Sequence, residues 1–126
     1  MSYTFIDRFW FSDPVLYRII TLDVNIVERY YIAMIKSFRD KETERVFQRL
    51  RSRKFSSSLG RMALKKLLLV DAAESIQDLR SPPGNRLERL FGSRKGQYSI
   101  RINDQWRVCF QWSQGHAIDV EIVDYH

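Results

Sequence analysis

Residues 97–124 read QYSIRINDQWRVCFQWSQGHAIDVEIVD, and the period of this stretch decides the fold. Tyr98, Ile100 and Ile102 alternate with Gln97, Ser99 and Arg101. Past the Asn103-Asp104 turn, Trp106, Val108, Phe110 and Trp112 alternate with Arg107, Cys109 and Gln111. Successive side chains on a strand point to opposite faces, so this alternation predicts an antiparallel hairpin with one apolar face. Ser113-Gln114-Gly115 supplies another turn, and Ile118, Val120 and Ile122 alternating with Asp119 and Glu121 predict a third strand. The three form a meander, joined at its edges by Leu87 to Leu90 and by a short strand at Ile35.

Upstream of this meander the period is 3.6. Asp40 is placed to cap a helix carrying Val46, Phe47 and Leu50 on one side. Ser56-Ser57-Ser58 then forms a loop with N-cap candidates. Leu59, Met62, Ala63, Lys66, Leu67 and Val70 follow at helical spacing to about Ala73. Ser75 to Leu79 adds one more turn, and Ser81-Pro82-Pro83-Gly84 ends regular structure because proline removes a donor and fixes φ. Helices first and a meander second predict an α+β fold, in which two N-terminal helices pack on the apolar face of an antiparallel sheet.

The chain has 126 residues and a formal net charge of +6, enough for one compact core and suited to a polyanionic or acidic partner. The charge is uneven. Residues 34–66 carry eleven basic side chains against three acidic ones, whereas residues 1–33 sum to −1. One cysteine, Cys109, cannot close an intramolecular disulfide, and with only His116 and His126 beside it there is no four-ligand set for structural zinc. The expectation is a metal-free protein of the reduced cytoplasm, without a cofactor. Asp7, Arg8 and Asp13 interrupt the N-terminal stretch where a signal peptide needs an apolar core, and no run is apolar enough to span a membrane. Residues 1–33 hold eight of the 17 aromatics without a sustained period. They are either an added helix or strand, or an extension outside a natural product that begins at Met34.

Alternation places Arg101 and Arg107 on the sheet face opposite Ile100 and Val108, projecting from the surface that the helices leave uncovered. A guanidinium fork matches phosphate in shape and charge, although arginines on a wet sheet face also pair with carboxylates such as Asp119 and Glu121. The last strand ends in Asp124-Tyr125-His126, delivering a carboxylate, a phenol and an imidazole to one rim. Imidazole both accepts and donates a proton near neutrality, and a tyrosine ring stacks on a base. On the helices, Lys41, Arg45, Arg49, Arg51, Arg53, Lys54, Arg61, Lys65 and Lys66 form a basic surface. Such a surface contacts RNA or is simply solvated, with Glu42 and Glu44 giving local pairs. Cys109 reads as a buried sheet residue.

Residues 84–110, GNRLERLFGSRKGQYSIRINDQWRVCF, together with the closing DVEIVDYH, resemble the HigB group of the RelE/ParE toxin superfamily. Met34-Ile35-Lys36-Ser37-Phe38 resembles the usual start of such proteins, so the resemblance covers residues 34–126. It implies the RelE-like α+β fold and the toxin role of a type II toxin–antitoxin system. It further implies a metal-independent endoribonuclease that cuts translated mRNA in the ribosomal A site. The implied partners are the ribosome, mRNA and a HigA-like helix-turn-helix antitoxin, with promoter DNA reached only through the antitoxin.

By the same resemblance Arg107 holds the scissile phosphate, His126 is general acid or base, Tyr125 stacks on or orients the substrate and Asp124 fixes the histidine. Arg94 and Arg101 are further phosphate contacts, and Arg61, Lys65, Lys66 and Lys95 further RNA contacts. The chain departs from the group at two positions. Phe91 stands in Leu90-Phe91-Gly92-Ser93-Arg94 where the group has a lysine, and Glu88 stands where some members have a histidine. A phenyl ring cannot neutralise phosphate, so a weakened toxin is implied, with Arg89 or Lys95 partly supplying the charge and Glu88 acting as a base or pairing with Arg86 or Arg89. Two other classes fit the same residues: a ParE-like protein that blocks gyrase by contact, and a co-repressor acting with its antitoxin on their promoter.

Overall fold

The structure, a computed structural model, describes residues 35–125. The expected extension at 1–33, the start at Met34 and the terminal His126 lie outside the described residues.

Helix α1 (Lys41–Phe47) begins where Asp40, in extended conformation, accepts a hydrogen bond from the Thr43 amide at 2.9 Å. The fully buried Thr43 hydroxyl donates to Asp40 at 2.7 Å and accepts from the Ile122 amide at 3.0 Å, so the N-cap also fastens the helix to the sheet. The prediction for Thr43→Val, which keeps the shape and removes the hydroxyl, is a loss of about 1–3 kcal/mol in unfolding free energy, because a buried amide loses its acceptor. Denaturant titration measures this, and Thr43→Ser should retain most of the parent stability.

The helix stops earlier than its pattern predicted. Arg49 takes a left-handed φ of 62°, the Arg49 amide bonds to the Val46 carbonyl, and the Leu50 amide bonds to the Arg45 carbonyl. This 6→1 and 5→2 pair closes the helix end, and Leu50 swings out of the core to 49% exposure. Helix α2 (Ser57–Ala72) is capped by the Ser56 hydroxyl, which accepts from the Leu59 amide at 3.2 Å. It buries Leu59, Ala63, Leu67 and Val70, a stripe narrow enough to leave Met62 exposed, contrary to the expected face.

A 3₁₀ turn over Ile76–Arg80 follows, where the Glu74 and Ser75 amides donate to Asp78 and hold its carboxyl below the usual range. The proline segment contains a cis Ser81–Pro82 bond and a second 3₁₀ turn, Pro83–Asn85. Asn85 is fully buried. Its amide nitrogen donates to the Leu79 and Ser81 carbonyls, and its oxygen accepts from the Lys66 ammonium at 2.6 Å. Lys66, expected on the apolar stripe, instead ties α2 to this loop, and burial beside Arg101 lowers its pKa from the ordinary lysine value.

Four antiparallel strands lie in sequence order: β1 (Glu88–Arg89), β2 (Gln97–Arg101), β3 (Trp106–Ser113) and β4 (His116–Asp124). Ile35 is not in a strand proper. Residues 36–39 run parallel to β4 with three backbone bonds to Ala117 and Val120. Strand β4 carries one extra residue, since Cys109 faces Glu121 but Gln111 faces Ile118, and Asp119 has a φ of 52°. This bulge reverses the side-chain parity, so Ala117 is buried in place of the expected Ile118. Ile100, Val108, Phe110, Val120 and Ile122 face Leu59, Ala63, Leu67 and Val70 in one core, which makes the fold α+β with both helices against one sheet face.

Candidate functional site

The other face of the sheet carries the polar row. Cross-strand register aligns Glu88, Ser99, Cys109 and Glu121, and the adjacent row aligns Arg101, Arg107 and Val123. Paired residues share a face, so the pleat gathers two carboxylates and two guanidiniums from four strands that are 36 residues apart at their extremes in sequence.

Arg107 does not project into solvent as the alternation implied. It is only 8% exposed. Its Nε donates to the Ser99 hydroxyl at 2.8 Å, and its Nη2 donates to the Arg86 carbonyl at 2.6 Å and the Ser99 carbonyl at 3.3 Å. The physical reason is the left-handed Arg86 (φ 45°), which turns its carbonyl onto the guanidinium where an uncovered sheet would have offered water. Nη1 is left facing Glu88, whose half-exposed carboxylate lies 3.9 Å away. The Tyr125 ring is centred 5.9 Å from the Arg107 Cζ, within cation–π range, and is 38% exposed.

The chain end is positioned by β-pairing: the Tyr125 amide donates to the Gln105 carbonyl at 2.9 Å, and the Gln105 side chain donates to Asp124 at 3.0 Å. Arg107, Glu88 and Tyr125 therefore meet, with Asp124 at the rim. The expected role of Asp124 toward His126 lies outside the described residues.

The other expected contacts are more dispersed. Arg94 donates to Gln97 at 3.0 Å and to Glu121 at 3.1 Å, so it is braced across the same face; Arg39 approaches Glu121 from the other side at 3.9 Å. Arg101 pairs with Asp104 in the β2–β3 turn. Lys95 and Lys65 are exposed. Arg61 lines a groove with Arg49, Arg51, Leu50 and Phe55, and none of the residues around Arg107 borders that groove. Phe91, where the resemblance implied a lysine, is 78% exposed and leaves a bare ring at the surface.

Cys109, within the row between Ser99 and Glu121, is fully buried, and burial pushes its thiol up to about 11. Arg94 and Arg107 oppose that rise while Glu121 and Glu88 add to it, so all four charges act at one point. It is a packing thiol, not a nucleophile. Ser99, Glu121 and the Arg86 carbonyl were absent from the expected site. Strand register supplies the signal for the first two, whereas no sequence pattern marks the third. Among the described residues no group of His, Cys, Asp and Glu is placed to hold a metal ion, and no helix is long and apolar enough to cross a membrane.

One guanidinium edge with two N–H donors, flanked by a carboxylate and a phenol, is equipped to hold a tetrahedral oxyanion and to move a proton beside it. A family model described as the RelE-like toxin of type II toxin–antitoxin system HigB matches residues 36–126. Toxin HigB-1 of Vibrio cholerae serotype O1 is 44% identical over 87 residues, which is 68% of this chain and 92% of that protein. Endoribonuclease HigB of Proteus vulgaris is 32% identical over 94 residues, covering 74% of this chain and all of that protein.

Proposed function

The chain belongs to the HigB group of RelE-like type II toxins, and from that premise we propose that residues 34–126 form a ribosome-dependent endoribonuclease that cuts translated mRNA in the A site. The observation that carries this reading is the Arg107 guanidinium, held on two sides by protein oxygens, with its Nη1 edge turned toward Glu88 and its carbon set against the Tyr125 ring. The similarity to a protein named an endoribonuclease supports it.

In this reading the RNA's own 2′-hydroxyl attacks the adjacent phosphorus. A base removes its proton, the bond to the 5′-oxygen breaks, and an acid returns a proton to that oxygen, leaving a 2′,3′-cyclic phosphate. No metal is required. Arg107 stabilises the charge that grows on the phosphoryl oxygens, an effect worth more where water is excluded. His126 and Glu88 exchange the protons, Tyr125 stacks on or orients the nucleotide, and Asp124 supports His126. Arg94 and Arg101 are displaced from their carboxylates onto the RNA backbone, and Lys95, Lys65 and Arg61 contact RNA more widely, while Lys66, bonded to the buried Asn85, holds the fold instead. The bare Phe91 ring in place of a cation lowers affinity relative to other members. A HigA-like antitoxin neutralises the protein in the cytoplasm and carries it to promoter DNA, and residues 1–33 lie outside the working domain.

The test is a purified translation system with primer extension on ribosome-bound message. Breaks within codons are expected, dependent on ribosomes. Intact message together with altered DNA supercoiling would overturn the nuclease reading in favour of a gyrase-blocking protein.

A further inference from the structure

Arg107 has five N–H donors, and the structure shows where three of them go. Nε meets the Ser99 hydroxyl, and Nη2 meets the carbonyls of Arg86 and Ser99. Ser99 thus touches the guanidinium twice, once through its side chain and once through its backbone, and is itself fully buried. Neither oxygen can reach an incoming substrate. A guanidinium whose Nε and Nη2 are both engaged offers an oxyanion its Nη1 edge alone, the edge that faces Glu88.

We propose that Ser99 is a positioning residue for the reaction: with the Arg86 carbonyl it forms a cradle that fixes the Arg107 guanidinium so that only Nη1 is presented to the scissile phosphate. This rests on the nuclease reading above. The cradle explains why an arginine sits in a nearly closed place on a sheet face. A lysine ammonium has no second nitrogen to anchor, so it would be held by the protein or offered to the phosphate, but not both. It also makes the phosphate contact a single-nitrogen one, so a small rotation of the guanidinium removes it. Because orientation matters most where charge develops, losing the cradle lowers turnover more than binding.

The experiment compares the full chain with Ser99→Ala and Ser99→Thr. In the ribosome cleavage assay, Ser99→Ala should lower kcat by about 10- to 100-fold while KM stays within about threefold, and Ser99→Thr, which keeps the hydroxyl, should recover most of the turnover. In ¹⁵N-labelled protein the Arg107 Nε–H resonance should be sharp and protected from solvent exchange in the parent and in Ser99→Thr, and exchange-broadened in Ser99→Ala. Parent-level kcat in Ser99→Ala, or an unchanged Nε–H resonance there, would overturn the proposal. The resonance reads the cradle without any turnover, so a parent chain that cuts no message removes the nuclease reading and leaves the cradle to be judged by the spectrum alone.

Discussion

Arg107→Ala is expected to reduce cleavage of translated mRNA by about 10²- to 10³-fold, the loss found when a donor to a developing oxyanion is removed from a water-poor site. The substitution also strips the Ser99 hydroxyl and the Arg86 carbonyl of their donor, so a stability loss of about 1–3 kcal/mol should accompany it. The two effects separate experimentally. A denaturant midpoint shows whether the variant is folded at assay temperature, and Arg107→Lys restores a cation without the fork. If charge alone mattered, the lysine variant would regain activity; the geometry of three N–H bonds on protein oxygens requires that it stay impaired. A folded Arg107→Ala variant that cuts within tenfold of the parent would place the chemistry elsewhere.

Deleting His126 is expected to cost about 10²- to 10⁴-fold in kcat, the usual contribution of a positioned proton donor or acceptor. Little stability should change, because the last described residue, Tyr125, is already partly exposed and keeps its own backbone bond to Gln105. The pH profile supplies the sign. A side chain that takes or gives a proton in the reaction makes the rate depend on pH, so the parent should lose rate on one limb of its profile and the truncated chain should lose that limb. Turnover within tenfold of the parent, with the limb intact, would assign the titration to another group, and Glu88→Gln would then be the variant to examine.

Much of the fold is legible in the side-chain periods. The alternation from Tyr98 to Trp112 gave the β2–β3 hairpin and its apolar face, whereas the register, with Ile100 facing Val108 and Ser99 facing Cys109, follows from a loop one residue longer than the Asn103-Asp104 turn. Asp40 and Ser56 cap the two helices as their residue types suggested. Three of the expectations that failed, at Leu50, Ile118 and Arg107, share a cause: a backbone turning into the left-handed region at a non-glycine residue. Arg49 ends α1 before Leu50, and Asp119 shifts the parity of β4 so that Ala117 replaces Ile118. Arginine gives no local signal for such a turn and a lone aspartate inside an alternating strand pattern only a weak one; tertiary contacts impose it. The site followed the same rule. Arg107, Glu88 and Tyr125 are named by residue chemistry and motif, but Ser99 looks like any small strand residue until Arg107 is seen to bond to it.

The order of periods along the chain, the charge balance and the closing Asp124-Tyr125-His126 were determined by the amino-acid sequence, because they depend only on neighbours a few positions apart. Whether Arg107 stands in water or lies pinned beneath the 86–88 segment was decided by the tertiary structure, because that depends on where a carbonyl 21 residues away comes to rest. Alternation chooses a face for a side chain; only the packing of remote backbone over that face sets its solvation, its orientation and therefore its chemistry.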